Sequence, residues 1–271
     1  MAQLAAGGLI RAAHIEPTVV VTALAAFLAL AEGLGPSRLM LVAAAVFAGQ
    51  VVIGWSNDLL DMARDTAVRR RDTPLATGEV TTRAVAVALG AAAVAVVGLS
   101  AALGWRSALV HLVLVVGSGL AYNLGLKATA WSLLAYVVAF GSLPAVVTLA
   151  ASGPRLPAVW LIAAGAALGA AAHFLNTLPD LADDASTGIR GLPHRIGGPR
   201  SQVVATVLLL AASVVAVLGP PGAPPAIAWA ALALAAVLAA GALTGSGHTP
   251  FRCGLAIAGV DVLLLVLMAR V

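Results

Sequence analysis

The stretch "LMLVAAAVFAGQVVIGWSNDLLDMARD", residues 39–65, decides the fold. Residues 39–56 carry no charged side chain. As a helix rising about 1.5 Å per residue, that run is about 27 Å long, close to the hydrocarbon thickness of a bilayer. The run then passes straight into Asn57, Asp58, Asp61, Arg64 and Asp65, with no Gly or Pro between. The stretch reads as a membrane-crossing helix whose end carries a polar site at the membrane surface.

The rest of the chain repeats the pattern. Of 271 residues, 61% are hydrophobic and only 10% are charged, whereas a soluble domain carries about 25% charge. Apolar stretches of spanning length fall at 17–35, 39–60, 82–103, 107–123, 131–151, 157–179, 202–218, 224–244 and 252–270. Small residues are common inside them and allow close helix packing. Short Gly- and Pro-containing links such as "GPSR", "SGPRLP" and "GPPGAPP" separate them. The expected fold is all-α: a polytopic membrane protein of about nine transmembrane helices in one bundle, with a pseudo-repeat of two halves. Residues 1–271 read as a single transmembrane domain.

One cysteine, Cys253, excludes an internal disulfide and a Cys-rich metal site. Residues 1–13 lack the pattern of a cleaved secretory signal, so the first span is expected to remain as an anchor. The pI near 10.2 speaks to membrane topology, and nucleic acid is not an expected partner. Nine spans place the N-terminus and the loops after spans 2, 4, 6 and 8 on one side. Of the fifteen basic residues, eleven lie there: Arg11, Arg64, Arg69, Arg70, Arg71, Arg83, Lys127, Arg190, Arg195, Arg200 and Arg252. That bias places the N-terminus and this side in the cytoplasm; the high Ala, Gly and Arg content points to a GC-rich bacterial genome, so a bacterial cell membrane is the expected location.

The same side holds nearly all the acid, which charge sorting does not require. A second acidic stretch, "NTLPDLADD" at 176–184, matches "NDLLDMARD" at 57–65. Both read Asn, three residues, Asp, three residues, Asp. Steps of four keep side chains on one helical face, so Asn57, Asp61 and Asp65 share a face if span 2 stays helical. Asn176, Asp180 and Asp184 would do the same at the end of span 6, with Asp58 and Asp183 at the edges. Such carboxylates repel one another and oppose the helix dipole, and a divalent cation compensates. Mg²⁺ takes hard oxygen ligands and often shares them with phosphate. Two facing clusters would hold two or more Mg²⁺ over a diphosphate. Arg69, Arg70, Arg71, Arg190, His194, Arg195 and the lone lysine, Lys127, would stabilise its negative charge.

These motifs resemble the UbiA superfamily of intramembrane prenyltransferases. Asn57, Asp58, Asp61 and Asp65 match its first motif, and "RRRDTPLATG" matches its basic loop ending in Pro-Leu-x-x-Gly. Asp180, Asp183, Asp184 and Gly188 match the second motif, Tyr122 and Lys127 match a Tyr and a Lys after the fourth span, and "HIEPT" matches the start of the first helix. Thr73 stands where the family commonly has Arg, in a loop about one residue shorter.

The resemblance implies that Asn57, Asp61 and Asp65 bind one Mg²⁺, and that Asn176, Asp180 and Asp184 bind another. It further implies that Lys127, Tyr122 and the arginines 69, 70, 71, 190 and 195 grip the diphosphate of an isoprenoid donor. A membrane-soluble aromatic or lipid acceptor would then capture the allylic cation, with Asp58, Asp65, Asp183 and Lys127 as catalytic candidates.

Two other readings use the same residues. A UbiA-type terpene cyclase would close the cation on its own chain, and aromatics at only 4% tilt against it. A cation- or proton-coupled transporter would place acids near mid-bilayer. Only Asp261 lies deep in a late span, where a hydrogen-bonded structural role suits it. His111 reads as a packed neutral imidazole, and His173 lies one turn before Asn176.

Overall fold

The computed structural model describes residues 2–68, 70 and 73–269 and contains only helices and connecting turns among them. Helix α1 (Ala2–Ala12) precedes the first span, and the sequence did not announce it. The spans are α2 (Ile15–Ala31), α3 (Pro36–Ala67), α5 (Thr82–Ala102), a composite fourth helix, α8 (Leu133–Leu149), α9 (Val159–Thr177), α12 (Gly198–Leu218), α13 (Ala226–Thr244) and α14 (Thr249–Met268). The fourth joins α6 (Trp105–Leu109), a π-helical segment (Val110–Val116) and α7 (Gly117–Asn123). Short helices α4 (Pro74–Thr77), α10 (Leu181–Ser186) and α11 (Leu192–Ile196) lie between spans. Seven of the helices are long and apolar enough to cross a membrane; α2 and α8 are apolar but shorter. Each of the nine expected spans thus corresponds to one helix, and the chain is an integral, multi-pass membrane protein.

Local sequence explains the ends that matter. Gly35 in an extended conformation and Pro36 at the first position start α3. Its 32 residues make a rod about 48 Å long, well beyond the hydrocarbon core. The last turns, bearing the first acidic motif, therefore emerge at the membrane surface while remaining helical. Pro74 opens α4, and Gly78 closes it at φ 76°, a conformation that glycine adopts without a Cβ penalty. This accounts for the Pro-Leu-x-x-Gly pattern. Leu75, Val80 and Val85 pack there with Leu9, Trp55, Leu59 and Met62, seating the turn beneath α1 and α3.

The main core lies among α2, α3, α8, α9, α12, α13 and α14. Helices α8 and α9 approach closely, and a Cβ on Gly165 would sit 2.7 Å from the Phe140 carbonyl oxygen. Large apolar side chains such as Val94 and Leu263 point outward, as a lipid-facing surface requires.

The second acidic stretch differs from the expected continuous helix face. Helix α9 stops at Thr177, a 3₁₀ turn covers Leu178–Asp180, and α10 begins at Leu181. Pro179 lacks the N–H that an α-helix would use there, and its ring crowds the preceding turn. Asn176, Asp180 and Asp184 therefore do not form one uninterrupted stripe.

Candidate active site

The two acidic stretches meet. Asp61, Arg64, Asp65 and Val68 from the end of α3, Arg70, and Asp183, Asp184 and Thr187 from α10 and the turn after it line one cleft. The chain separates these groups by more than a hundred residues, and the bundle closes that distance. Arg70 Nη2 donates to Asp180 Oδ2 at 3.2 Å and links the two stretches directly.

Lys127 is the second link. Gly125, at φ 137°, turns the chain out of α7 into the 3₁₀ turn Leu126–Ala128. That turn buries Lys127 against α3. Its Nζ donates to Asp61 Oδ1 at 2.7 Å, to Asp61 Oδ2 at 2.5 Å and to Asn57 Oδ1 at 3.1 Å. Burial pulls the ammonium below the ordinary lysine pKa, and the Asp61 carboxylate works against that shift. Arg64 also pairs with Asp61 from one turn along α3.

A second junction holds the loop after α10. A Cβ on Gly191 would lie 2.5 Å from the Lys127 carbonyl oxygen and 3.0 Å from Ser132 Oγ, so only glycine lets the two loops touch. The Leu192 amide donates to Ser132 Oγ at 2.9 Å, and that hydroxyl is 3.0 Å from His173 Nε2. His194, on the same loop, brings Nε2 to 3.5 Å from Asp184 Oδ2.

Several candidates sit elsewhere. Asp58 is buried, and its Oδ1 lies 2.7 Å from His14 Nε2. It faces the α1–α2 junction and does not line the cleft. The cause is His14, which has φ 49° and turns its ring onto α3. Asn176 is exposed, and its amide donates to the Tyr136 hydroxyl at 3.2 Å. Tyr122 stands edge-on to Tyr136, with ring centres 5.3 Å apart, and to His173 at 5.7 Å; Phe140 extends this aromatic group. Arg190 and Arg195 are exposed, do not line the cleft, and are tied together by Arg195 Nε donating to the Arg190 carbonyl. Arg69 and Arg71 lie outside the described residues. Asp261 is buried in α14 and pairs with Ser213 of α12, while His111 pairs with Ser100 at 2.8 Å.

The donors facing the cleft are carboxylate oxygens, without thiol or thioether, a set that suits Mg²⁺ over softer metals. Among the described residues, no three His, Cys, Asp or Glu side chains converge on one point. Protein cations stand between the acids instead.

The model of the UbiA prenyltransferase family matches residues 19–248, which contain both motifs and Lys127. The chain belongs to the UbiA prenyltransferase family. Solved UbiA structures share its architecture. A UbiA homologue from Aeropyrum pernix K1, in its apo form, is 22% identical with a TM-score of 0.72, over 93% of this chain and 98% of that one. A UbiA homologue from Archaeoglobus fulgidus, bound to GPP and Mg²⁺, is 15% identical with a TM-score of 0.67, over 97% and 100%. A digeranylgeranylglyceryl phosphate synthase structure is 14% identical with a TM-score of 0.66, over 97% and 98%. Among curated proteins none matches. At these identities the UbiA likeness establishes the fold.

Sequence reasoning missed the partners that position this UbiA site. Gly191 and Ser132 gave no signal, because each acts through a contact with a remote loop. His14 stood in the quoted "HIEPT", directly before a span, but its left-handed backbone is a property of the fold.

Proposed function

We propose that this chain transfers a prenyl group from an isoprenoid diphosphate to a membrane-soluble acceptor in a Mg²⁺-dependent reaction. The observation that carries the reading is the single cleft formed by Asp61, Asp65, Asp183 and Asp184 with Arg64 and Arg70, with Lys127 on Asp61. The Archaeoglobus homologue's complexes with GPP and with DMAPP, each with Mg²⁺, support it.

Asn57, Asp61 and Asp65 would hold metal on one side, and Asp180 and Asp184 on the other. Bound there, Mg²⁺ supplies positive charge to the departing diphosphate. Lys127, Arg64 and Arg70 add charge at fixed positions in a partly dehydrated cleft, where electrostatic stabilisation is strongest. Tyr122, Tyr136 and Phe140 pack as one aromatic group and would lie along the isoprenoid tail among the apolar helices. As the bond from C1 to the diphosphate oxygen breaks, C1 bonds to the acceptor and the acceptor loses a proton. Asp65 and Asp183 line the cleft and would take it; Asp58 is occupied by His14. The basic bias puts the site and the N-terminus in the cytoplasm.

The test is direct. Purified protein with Mg²⁺ and prenyl diphosphates of several lengths is assayed for diphosphate release, and the lipid product is identified. Asp61→Ala and Asp180→Ala should each lower release at least about 100-fold, as loss of metal-phosphate stabilisation does. Wild-type protein that releases no diphosphate from any donor sinks the reading. The aromatic group beside His173 favours one second reading, cyclisation of the cation on its own chain. A cyclic product formed without an acceptor would establish that outcome.

A further inference from the structure

The cations of the cleft are engaged with the oxygens that a metal would need. Lys127 Nζ contacts both oxygens of Asp61 and the Asn57 carbonyl oxygen. Arg64 pairs with the same carboxylate, and Arg70 Nη2 holds Asp180. A carboxylate cannot offer one face to an ammonium and to a dication together, because the two cations repel strongly at that range. The loop that carries Lys127 has little room to withdraw, because its backbone is pinned by Gly125 and by the Gly191 contact on the Lys127 carbonyl, so the ammonium stays at the cleft and can only change partner. Among the described residues, the carboxylates Asp61, Asp65, Asp180, Asp183 and Asp184 stand around Arg64, Arg70 and Lys127, with His194 beside Asp184. A diphosphate arriving alone meets carboxylates that already engage Arg64, Arg70 and Lys127. A metal arriving alone strands Lys127 beside it.

We propose that Lys127 and Arg70 are resident counter-ions of the two acidic motifs, and that they pass from Asp61 and Asp180 to the diphosphate as metal takes those carboxylates. The inference rests on the prenyl-diphosphate reading above and adds a binding rule to it. Each ligand relieves the charge that the other leaves uncompensated, so each tightens the other, and by linkage by the same factor. Lys127 then has opposite effects on the two ligands: it competes with metal and it attracts the donor.

The experiment measures binding to the full chain in lipid nanodiscs. Mn²⁺ serves as a paramagnetic probe of the metal, and geranyl S-thiolodiphosphate as a donor whose C–S bond resists ionisation. In wild type, saturating analogue should tighten Mn²⁺ at least tenfold, and Mn²⁺ should tighten the analogue equally. Lys127→Met should bind Mn²⁺ alone at least tenfold more tightly than wild type. The same variant should bind the analogue more weakly and shrink the mutual effect below threefold. Equal wild-type Mn²⁺ affinity with and without analogue overturns the proposal, as does a Lys127→Met protein that gains no affinity for Mn²⁺. If Lys127→Met does not fold, the wild-type linkage decides, and Arg70→Gln repeats the test at Asp180. A protein that binds Mn²⁺ but no analogue sinks the donor reading. In that case the Mn²⁺-only arm of Lys127→Met still decides the counter-ion role.

Discussion

His14 and Asp58 show how much one residue's backbone settles. Among the described residues, His14 is the one non-glycine with positive φ, a conformation that costs energy unless the surroundings repay it. Here the return is a hydrogen bond to a buried carboxylate. That bond outweighs burial and raises the imidazole above its ordinary pKa of 6.5. A group whose pKa is higher in the folded state binds protons more tightly there, so its contribution is complete below 6.5 and fades as pH rises through the raised value. The thermal midpoint of wild type should therefore fall as pH rises from 6.5 through the raised value, relative to His14→Gln, whose curve should run flatter. The same residue corrects the reading of Asp58. In sequence it stands inside the acidic motif, at the edge of the face that Asn57, Asp61 and Asp65 share. Only the left-handed turn at His14 reveals that it faces another way.

At the scale of elements, α3 and α9 are the frame, and their sequences announced much of it. The apolar run before Asn57, the acids continuing in helical register and the matched stretch near 180 were all legible, because each follows from periodicity along one chain. The interruption after Thr177 was not read from the sequence, although Pro179 stands within the matched spacing. What the sequence could not carry was the pairing across loops: Lys127 on Asp61, Arg70 on Asp180, and Gly191 against the Lys127 carbonyl. Those depend on helix packing, and helix packing here depends on glycine. A Cβ on Gly169 would sit 2.5 Å from the Tyr136 carbonyl oxygen and 2.6 Å from Phe140 Cβ. Backbone cannot yield there as a flexible side chain would. Gly169→Ala should destabilise the bundle by about 1–3 kcal/mol, visible as a lower thermal midpoint in detergent. Because α9 leads into Asp180 and Asp184, the same change should weaken Mn²⁺ binding, whereas Gly90→Ala, in open space on α5, should alter neither.

For the whole molecule, the proposed orientation has a built-in reporter. Cys253 is the chain's single cysteine, and it is partly accessible near the start of α14, at the same end of the bundle as the acidic motifs by the order of spans. A membrane-impermeant maleimide should label it in inside-out vesicles and leave it unlabelled in intact cells; the reverse pattern would invert the topology. The bundle also has an uneven waist. Helices α2 and α8 have 17 residues each, about 25 Å of rise, and they pack against each other. At one end, Glu32 after α2 pairs with Arg155 after α8, and Arg38 donates to the Ala150 carbonyl. These clamps fix the polar boundary at the end where α2 and α8 stop and α3 begins; α3, with 32 residues, runs on past their far ends. The surrounding lipid meets a hydrophobic girdle several ångström shorter on that flank than a bilayer about 30 Å thick. Acyl chains must compress or splay beside α2 and α8, so membranes of shorter-chain lipids accommodate the protein with less elastic distortion.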